Sequence, residues 1–282
     1  MTLLPNDYGG AWTLASTIKR SGIGLHSGLE STVRLLPSDQ PGFYLSWSDN
    51  AKELIRLSPE QSRDTQLCTT LELGTRKLST VEHLLAALAG CGLTHVHLEV
   101  SGHEIPLLDG SALGWVEAIL EAGISSAPNA RLVPPVVKEP LVLNRGNSVI
   151  TATPAETFSL VGMVDFPYAA IGRQMFNIEL TPTLFVQEIA PARTFGFVDQ
   201  IENLKKLGLI RGGTLDNALV CDLDHWINPP LRFENEPVRH KLLDLIGDLA
   251  LVGFPKAQVL VYRGSHGLHN DLAAALLKSS FQ

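Results

Sequence analysis

The chain has 282 residues, which at roughly 150 residues per domain predicts two domains, and 45% of them are hydrophobic, enough to fill two cores. Charged residues make up 18%, with 22 Lys and Arg against 29 Asp and Glu, so the net charge of −7 excludes a general attraction to nucleic acid or an anionic membrane. The longest apolar stretch, Leu84 to Gly90, falls far short of the roughly 20 residues of a membrane span, so no stable membrane insertion is expected.

Met1 to Gly10 has no basic segment followed by an apolar one, so export is not expected either. The first half reads as short β segments and helices. Ser79-Thr80-Val81-Glu82-His83-Leu84-Leu85 opens a helix, with Ser79 and Glu82 spaced as a capping box, and a strand follows in which Thr94, Val96, Leu98 and Val100 alternate with His95, His97 and Glu99. Pro128, Asn129, Pro134 and Pro135 then mark a boundary, dividing a first domain at 1–127 from a second at 128–282. A strand-like run around Val136 to Leu143 opens the second half. Later, Pro237 suits the first turn of a helix whose apolar stripe is Val238, Leu242, Leu245, Ile246 and Leu249, and Gln258 to Tyr262 form a strand. Gly264-Ser265-His266-Gly267 reads as a loop. The order helix, strand, His-bearing loop thus occurs in both halves, a weak internal echo. The whole is an α+β pattern without a regular βαβ rhythm. Cys68, Cys91 and Cys221 form no C-x-x-C pair, which argues against a disulfide framework and fits a cytoplasmic protein.

His240, Asp244 and Asp248 recur at i, i+4 and i+8, so one helix face carries an imidazole and a carboxylate able to share a cation, a set that suits zinc. The same segment also reads as an exposed polar face with an i, i+4 pair. Adding His83 gives three protein ligands and an open fourth position, with Glu82 beside it as a proton acceptor. The capping box explains Glu82 equally well. His95, His97 and His103 form a rival ligand set, or simply a strand face. Gly22 to Gly28 is rich in glycine but matches no phosphate-binding loop, and nucleotide hydrolysis is rejected.

Blocks along nearly the whole chain, Gly24-Leu25-His26-Ser27-Gly28, Ser79 to Leu88, Pro106 to Ser111, Arg193-Thr194-Phe195-Gly196, Gly212 to Asn217, Arg232 to Asp244, and Ser265-His266, resemble the zinc-dependent UDP-3-O-acyl-N-acetylglucosamine deacetylases. Ala192 stands where many members carry cysteine. The resemblance implies two similar domains, each a layered β-sheet and helix unit with a small insertion, and helices packed between them. It implies hydrolysis of the substrate's N-acetyl group, the committed step of lipid A synthesis, with His83, His240 and Asp244 binding zinc, or ferrous iron in the cell. Glu82 would be the general base, His266 the acid, Asp248 its partner, and Thr194 an oxyanion donor. Lys241 and Phe195 would hold the diphosphate and nucleoside side. An insertion at 194–213, including Ile201, Ile210 and Gly213, would line an acyl passage, although Val198, Ile201, Leu204 and Leu207 also suit the buried stripe of an ordinary helix. The only expected partner is the acylated UDP-amino-sugar substrate, taken up by a monomer. A catalytically dead paralogue and a deacetylase of another acetamido sugar are the competing readings.

Overall fold

A computed structural model describes residues 4–65 and 67–279. The first half contains β1 (Trp12–Leu14), β2 (Ile18–Ile23), β3 (Glu30–Pro37), β4 (Gly42–Trp47), β5 (Asn50–Arg56), β6 (Ser62–Thr65), β7 (Cys68–Leu73), β8 (Arg76–Ser79), α1 (Glu82–Gly90), β9 (His95–Val100), α2 (Leu113–Ala122) and β10 (Ile124–Ser126). Residues 127–140 carry no helix or strand. The second half contains β11 (Leu141–Arg145), β12 (Ser148–Pro154), β13 (Ser159–Asp165), β14 (Arg173–Glu179), α3 (Pro182–Leu184), β15 (Phe195–Phe197), α4 (Val198–Lys206), β16 (Leu219–Cys221), α5 (Glu236–Leu249), β17 (Ala257–Tyr262) and α6 (His266–Ser279). The expected strand around Val136 starts later, at Leu141, because Pro140 supplies no ladder donor.

The two large sheets repeat one pattern. In the first, β2, β3, β9, β4 and β5 lie side by side, antiparallel except for the parallel β9 and β4 pair. In the second, β11, β12, β17, β13 and β14 follow the same order, with β17 and β13 the parallel pair. A helix precedes the central strand each time, α1 before β9 and α5 before β17. Each half also carries an addition: the three-stranded β6-β7-β8 sheet, and the parallel β15 and β16 joined through α4. The latter is one small βαβ unit in a chain read as having no βαβ rhythm.

The apolar periodicity of α1 and α5 explains where they sit. Every residue of α1 is buried, and α5 is buried at all positions except Arg239 and Lys241. Helix α1 is apolar around nearly its whole circumference and must be enclosed on all sides, whereas α5 buries its apolar stripe together with Glu236, His240, Asp244 and Asp248. The two helices pack on each other, with α5 also against β13, β14 and α6, and α1 against α2. Contact is closest at Gly247, where an added Cβ would lie 2.1 Å from the Glu82 carbonyl oxygen.

Gly247→Ala therefore forces the helices apart. Alanine favours a helix over glycine by about 1 kcal/mol, but overpacking of this severity costs about 1–3 kcal/mol and should prevail. Urea unfolding of the variant should show a lower midpoint; a native or higher midpoint would mean the helices separate without cost.

Candidate active site

The α1 and α5 contact brings residues from both halves to one place. Nitrogens of His83 and His240 and an oxygen of Asp244 all lie within 4.8 Å of one another. His83 Nε2 stands 3.7 Å and His240 Nε2 3.4 Å from Asp244 Oδ1. The two imidazoles meet edge to face with centroids 5.0 Å apart. His240 Nδ1 lies 3.1 Å from the Ala192 carbonyl, an acceptor that fixes the proton on Nδ1 and leaves the Nε2 lone pair free. Burial pulls the pKa of His240 down to about 3, so the ring is neutral, as a metal ligand must be. Lys241 Nζ donates to Asp244 Oδ2 at 2.9 Å. Burial pushes the Asp244 carboxyl up, but the Lys241 charge together with the neighbouring imidazoles of His240, His83 and His266 outweighs it and holds the group well below its ordinary range. Two imidazoles and an ionised carboxylate make a donor set suited to zinc or ferrous iron.

Glu82 lies beside this group. No side chain caps α1: Val81 is the N-cap residue, and Ser79 belongs to β8. The capping-box explanation of Glu82 is thus overturned. Instead the preceding residue, Thr80, takes a positive φ of 57°, and the Glu82 carboxylate turns inward to accept from the Thr69 amide at 3.1 Å. Burial raises its pKa to about 8, against the opposing charge of His266, whose Nε2 is 4.0 Å from Glu82 Oε1.

His266 is the first residue of α6, where the sequence suggested a loop. Its Nδ1 is 2.9 Å from Asp248 Oδ2. Burial works against the imidazolium, but the Asp248 charge and hydrogen bond win and raise the pKa to about 10. Asp248, likewise opposed by burial, is held below its ordinary value by His266 and His269. Two of its partners escaped the sequence reading. His269 Nδ1 lies 2.8 Å from Asp248 Oδ2, and the Thr69 hydroxyl donates to Asp248 Oδ1 at 2.6 Å. The i, i+3 spacing of His266 and His269 would have revealed the first had α6 been recognised; nothing local marks Thr69.

These groups open onto a cavity of about 530 Å³, within the roughly 300–1,000 Å³ typical of small-molecule sites. Thr194, Phe195, Ile201, Ile210, Gly213 and Lys241 all line it. The α4 stripe is no buried core: Val198 and Leu207 are exposed, whereas Ile201 and Leu204 face the cavity. His26 also lines it, buried and with neither ring nitrogen hydrogen-bonded; the sequence reading quoted this residue without giving it a task. The rival histidine set does not assemble. His95 Nδ1 pairs with the Thr94 hydroxyl, His97 Nε2 with Ser46, and His103 stacks near Trp47.

The His266 and Asp248 pair has a definite pH window. A raised histidine pKa gives stability that is complete below the ordinary 6.5 and lost as pH rises towards 10, while the depressed Asp248 pKa gives stability complete above its ordinary 3.8 and lost on acidification. Asp248→Asn removes the strongest interactions that oppose burial and leaves only the weaker pull of Glu82 and Asp244, so the His266 titration, followed by imidazole NMR, should fall well below about 10. An unmoved titration would contradict the pairing.

Comparison with known proteins matches residues 11–278 to the LpxC family, described as UDP-3-O-acyl N-acetylglycosamine deacetylase. Among curated proteins, the UDP-3-O-acyl-N-acetylglucosamine deacetylase of Trichormus variabilis is 47% identical over 275 residues, covering 95% of this chain and 98% of the relative. That of Synechocystis sp. is 44% identical over 93% of this chain and 96% of its own. A probable mitochondrial counterpart from Arabidopsis thaliana is 38% identical, over 94% and 87% respectively. With the match spanning nearly the full length of both the family and its bacterial members, the chain belongs to the LpxC family of deacetylases.

Proposed function

We propose that the chain hydrolyses the N-acetyl group of UDP-3-O-acyl-N-acetylglucosamine, releasing acetate and the free amine, the committed step of lipid A biosynthesis. One observation carries this reading: a His, His, Asp cluster stands beside the Glu82 carboxylate and the His266 imidazole in the lining of one cavity. His83, His240 and Asp244 would hold zinc, with ferrous iron as the cellular alternative. When bound, such an ion polarises a carbonyl and acidifies water, the two functions amide hydrolysis most needs.

The remaining steps belong to the chain. Thr69 occupies Glu82 Oε2, leaving Oε1 to take a proton from the attacking water as its oxygen joins the acetyl carbon. The carbon–nitrogen bond breaks, and His266, kept protonated by Asp248, delivers its Nε2 proton to the departing amine. Thr194, in the cavity wall, would donate to the oxyanion. Lys241 spends one donor on Asp244 and retains others for the diphosphate, next to Phe195 on the nucleoside side. The acyl chain would run along Ile201, Ile210 and Gly213.

The division into domains at 1–127 and 128–282 is part of the same reading, supported by the repeated strand order on either side of residues 127–140. Action as a monomer and a cytoplasmic location belong to the same reading; among the described residues no helix is long and apolar enough to cross a membrane, and all three cysteines are buried.

Acetate release from the acylated substrate and from the same sugar nucleotide without its 3-O-acyl chain tests the proposal. Burying about ten methylenes at half of the ~0.8 kcal/mol each can yield is worth about 4 kcal/mol, or roughly 10³-fold in kcat/KM. Glu82→Gln should lower kcat by about 10²- to 10⁴-fold while retaining substrate affinity. Equal rates on both substrates would refute the acyl passage, and a fully active Glu82→Gln variant would refute the assigned base.

A further inference from the structure

Glu104 lies outside the site, in the turn after β9, yet it is 4% exposed and bonded to two segments that build the site. Its Oε1 accepts from the His26 amide at 2.8 Å and from the Thr80 hydroxyl at 2.9 Å, and its Oε2 accepts from the Ser27 amide at 2.7 Å. All three partners are donors, so the carboxylate is matched on both oxygens. Gly24 leaves room for this arrangement: a Cβ there would lie 2.4 Å from Glu104 Oε2.

Each tied segment reaches the reacting groups by a different route. Thr80, with its left-handed backbone, is the turn residue that aims Glu82 and His83 from the start of α1. The loop around His26 forms cavity wall and grips the second half: Gly212 donates to the Leu25 carbonyl at 2.9 Å, and a Cβ on Gly212 would lie 2.3 Å from the Gly24 carbonyl oxygen. Gly213 and Ile210, beside that contact, line the cavity. A single buried carboxylate therefore joins the turn that carries the base to the wall that receives substrate.

We infer that Glu104 is a positioning residue, which sets Glu82 and the cavity wall in register through Thr80 and the His26 loop. The inference rests on the deacetylase reading for its kinetic consequences. Glutamine at this place must turn an NH2 group towards at least one backbone donor, so Glu104→Gln breaks the bridge while keeping the shape. Thr80→Val removes the α1 side alone without altering the branching at Cβ.

The test measures peptide-level amide exchange and steady-state kinetics with the acylated substrate on the full-length, metal-loaded protein. Glu104→Gln should speed exchange of residues 24–28 at least about tenfold, raise KM and lower kcat, because small misplacements at a reacting centre cost up to about 10²-fold. Thr80→Val should leave exchange at 24–28 unchanged and lower kcat about tenfold at unchanged KM. Native exchange at 24–28 in folded Glu104→Gln, native kcat in Thr80→Val, or activity losses that merely follow the unfolded fraction would each overturn the assignment. If native protein fails to release acetate, the function reading falls, and the exchange measurement still decides whether Glu104 holds the loop.

Discussion

The close approach of α1 and α5 at Gly247 is the constraint on which the site depends. Neither helix carries a complete site: α1 brings Glu82 and His83, and α5 brings His240, Asp244 and Asp248. The missing Cβ at Gly247 lets the Glu82 backbone sit against α5, so the first turn of α1 faces the last turn of its partner. The same contact buries both helices, and the apolar surface removed from water stabilises an arrangement that crowds several ionisable groups. Burying such groups costs several kcal/mol each unless they are paired, and here nearly every one has a named partner.

Those partners divide the carboxylates by task. Asp244 and Asp248 are held ionised by Lys241 and by the His266 and His269 pair, respectively. Glu82 receives one backbone N–H and keeps a raised pKa, about 8, suited to taking up a proton. His266 is pushed the other way from His240, to about 10 against about 3, because Asp248 hydrogen-bonds one ring directly, whereas at the other burial, with His83 and Lys241 close by, outweighs Asp244. The environment, more than residue type, separates ligand from acid.

Much of this was legible in the sequence. The i, i+4, i+8 spacing of His240, Asp244 and Asp248 needs only helical periodicity to read, and Pro237 announces the helix. His83 was readable as a third ligand beside Glu82, and the family resemblance added the role of His266 and the cavity residues. What stayed hidden depends on contacts between distant segments. The spacing of Ser79 and Glu82 imitates a capping box, yet Thr80 breaks the helix start and frees Glu82 for the interior. Thr69, from a neighbouring strand, touches both Glu82 and Asp248, a role no local pattern records. The amphipathic α4 has a stripe like any surface helix, and only the tertiary structure brings Ile201 and Leu204 into the cavity lining. The matching order of the two sheets likewise exists in pairing, since the residues that form them show little more than a weak echo.

Metal analysis of the purified chain beside its His83→Ala and His240→Ala variants tests the central claim, that one ion is held jointly by α1 and α5. The account predicts about one equivalent of zinc or iron in the native protein and a large loss in both variants, since each removes one of only three protein ligands from a different helix. A full equivalent retained in either variant, with the fold intact, would contradict it.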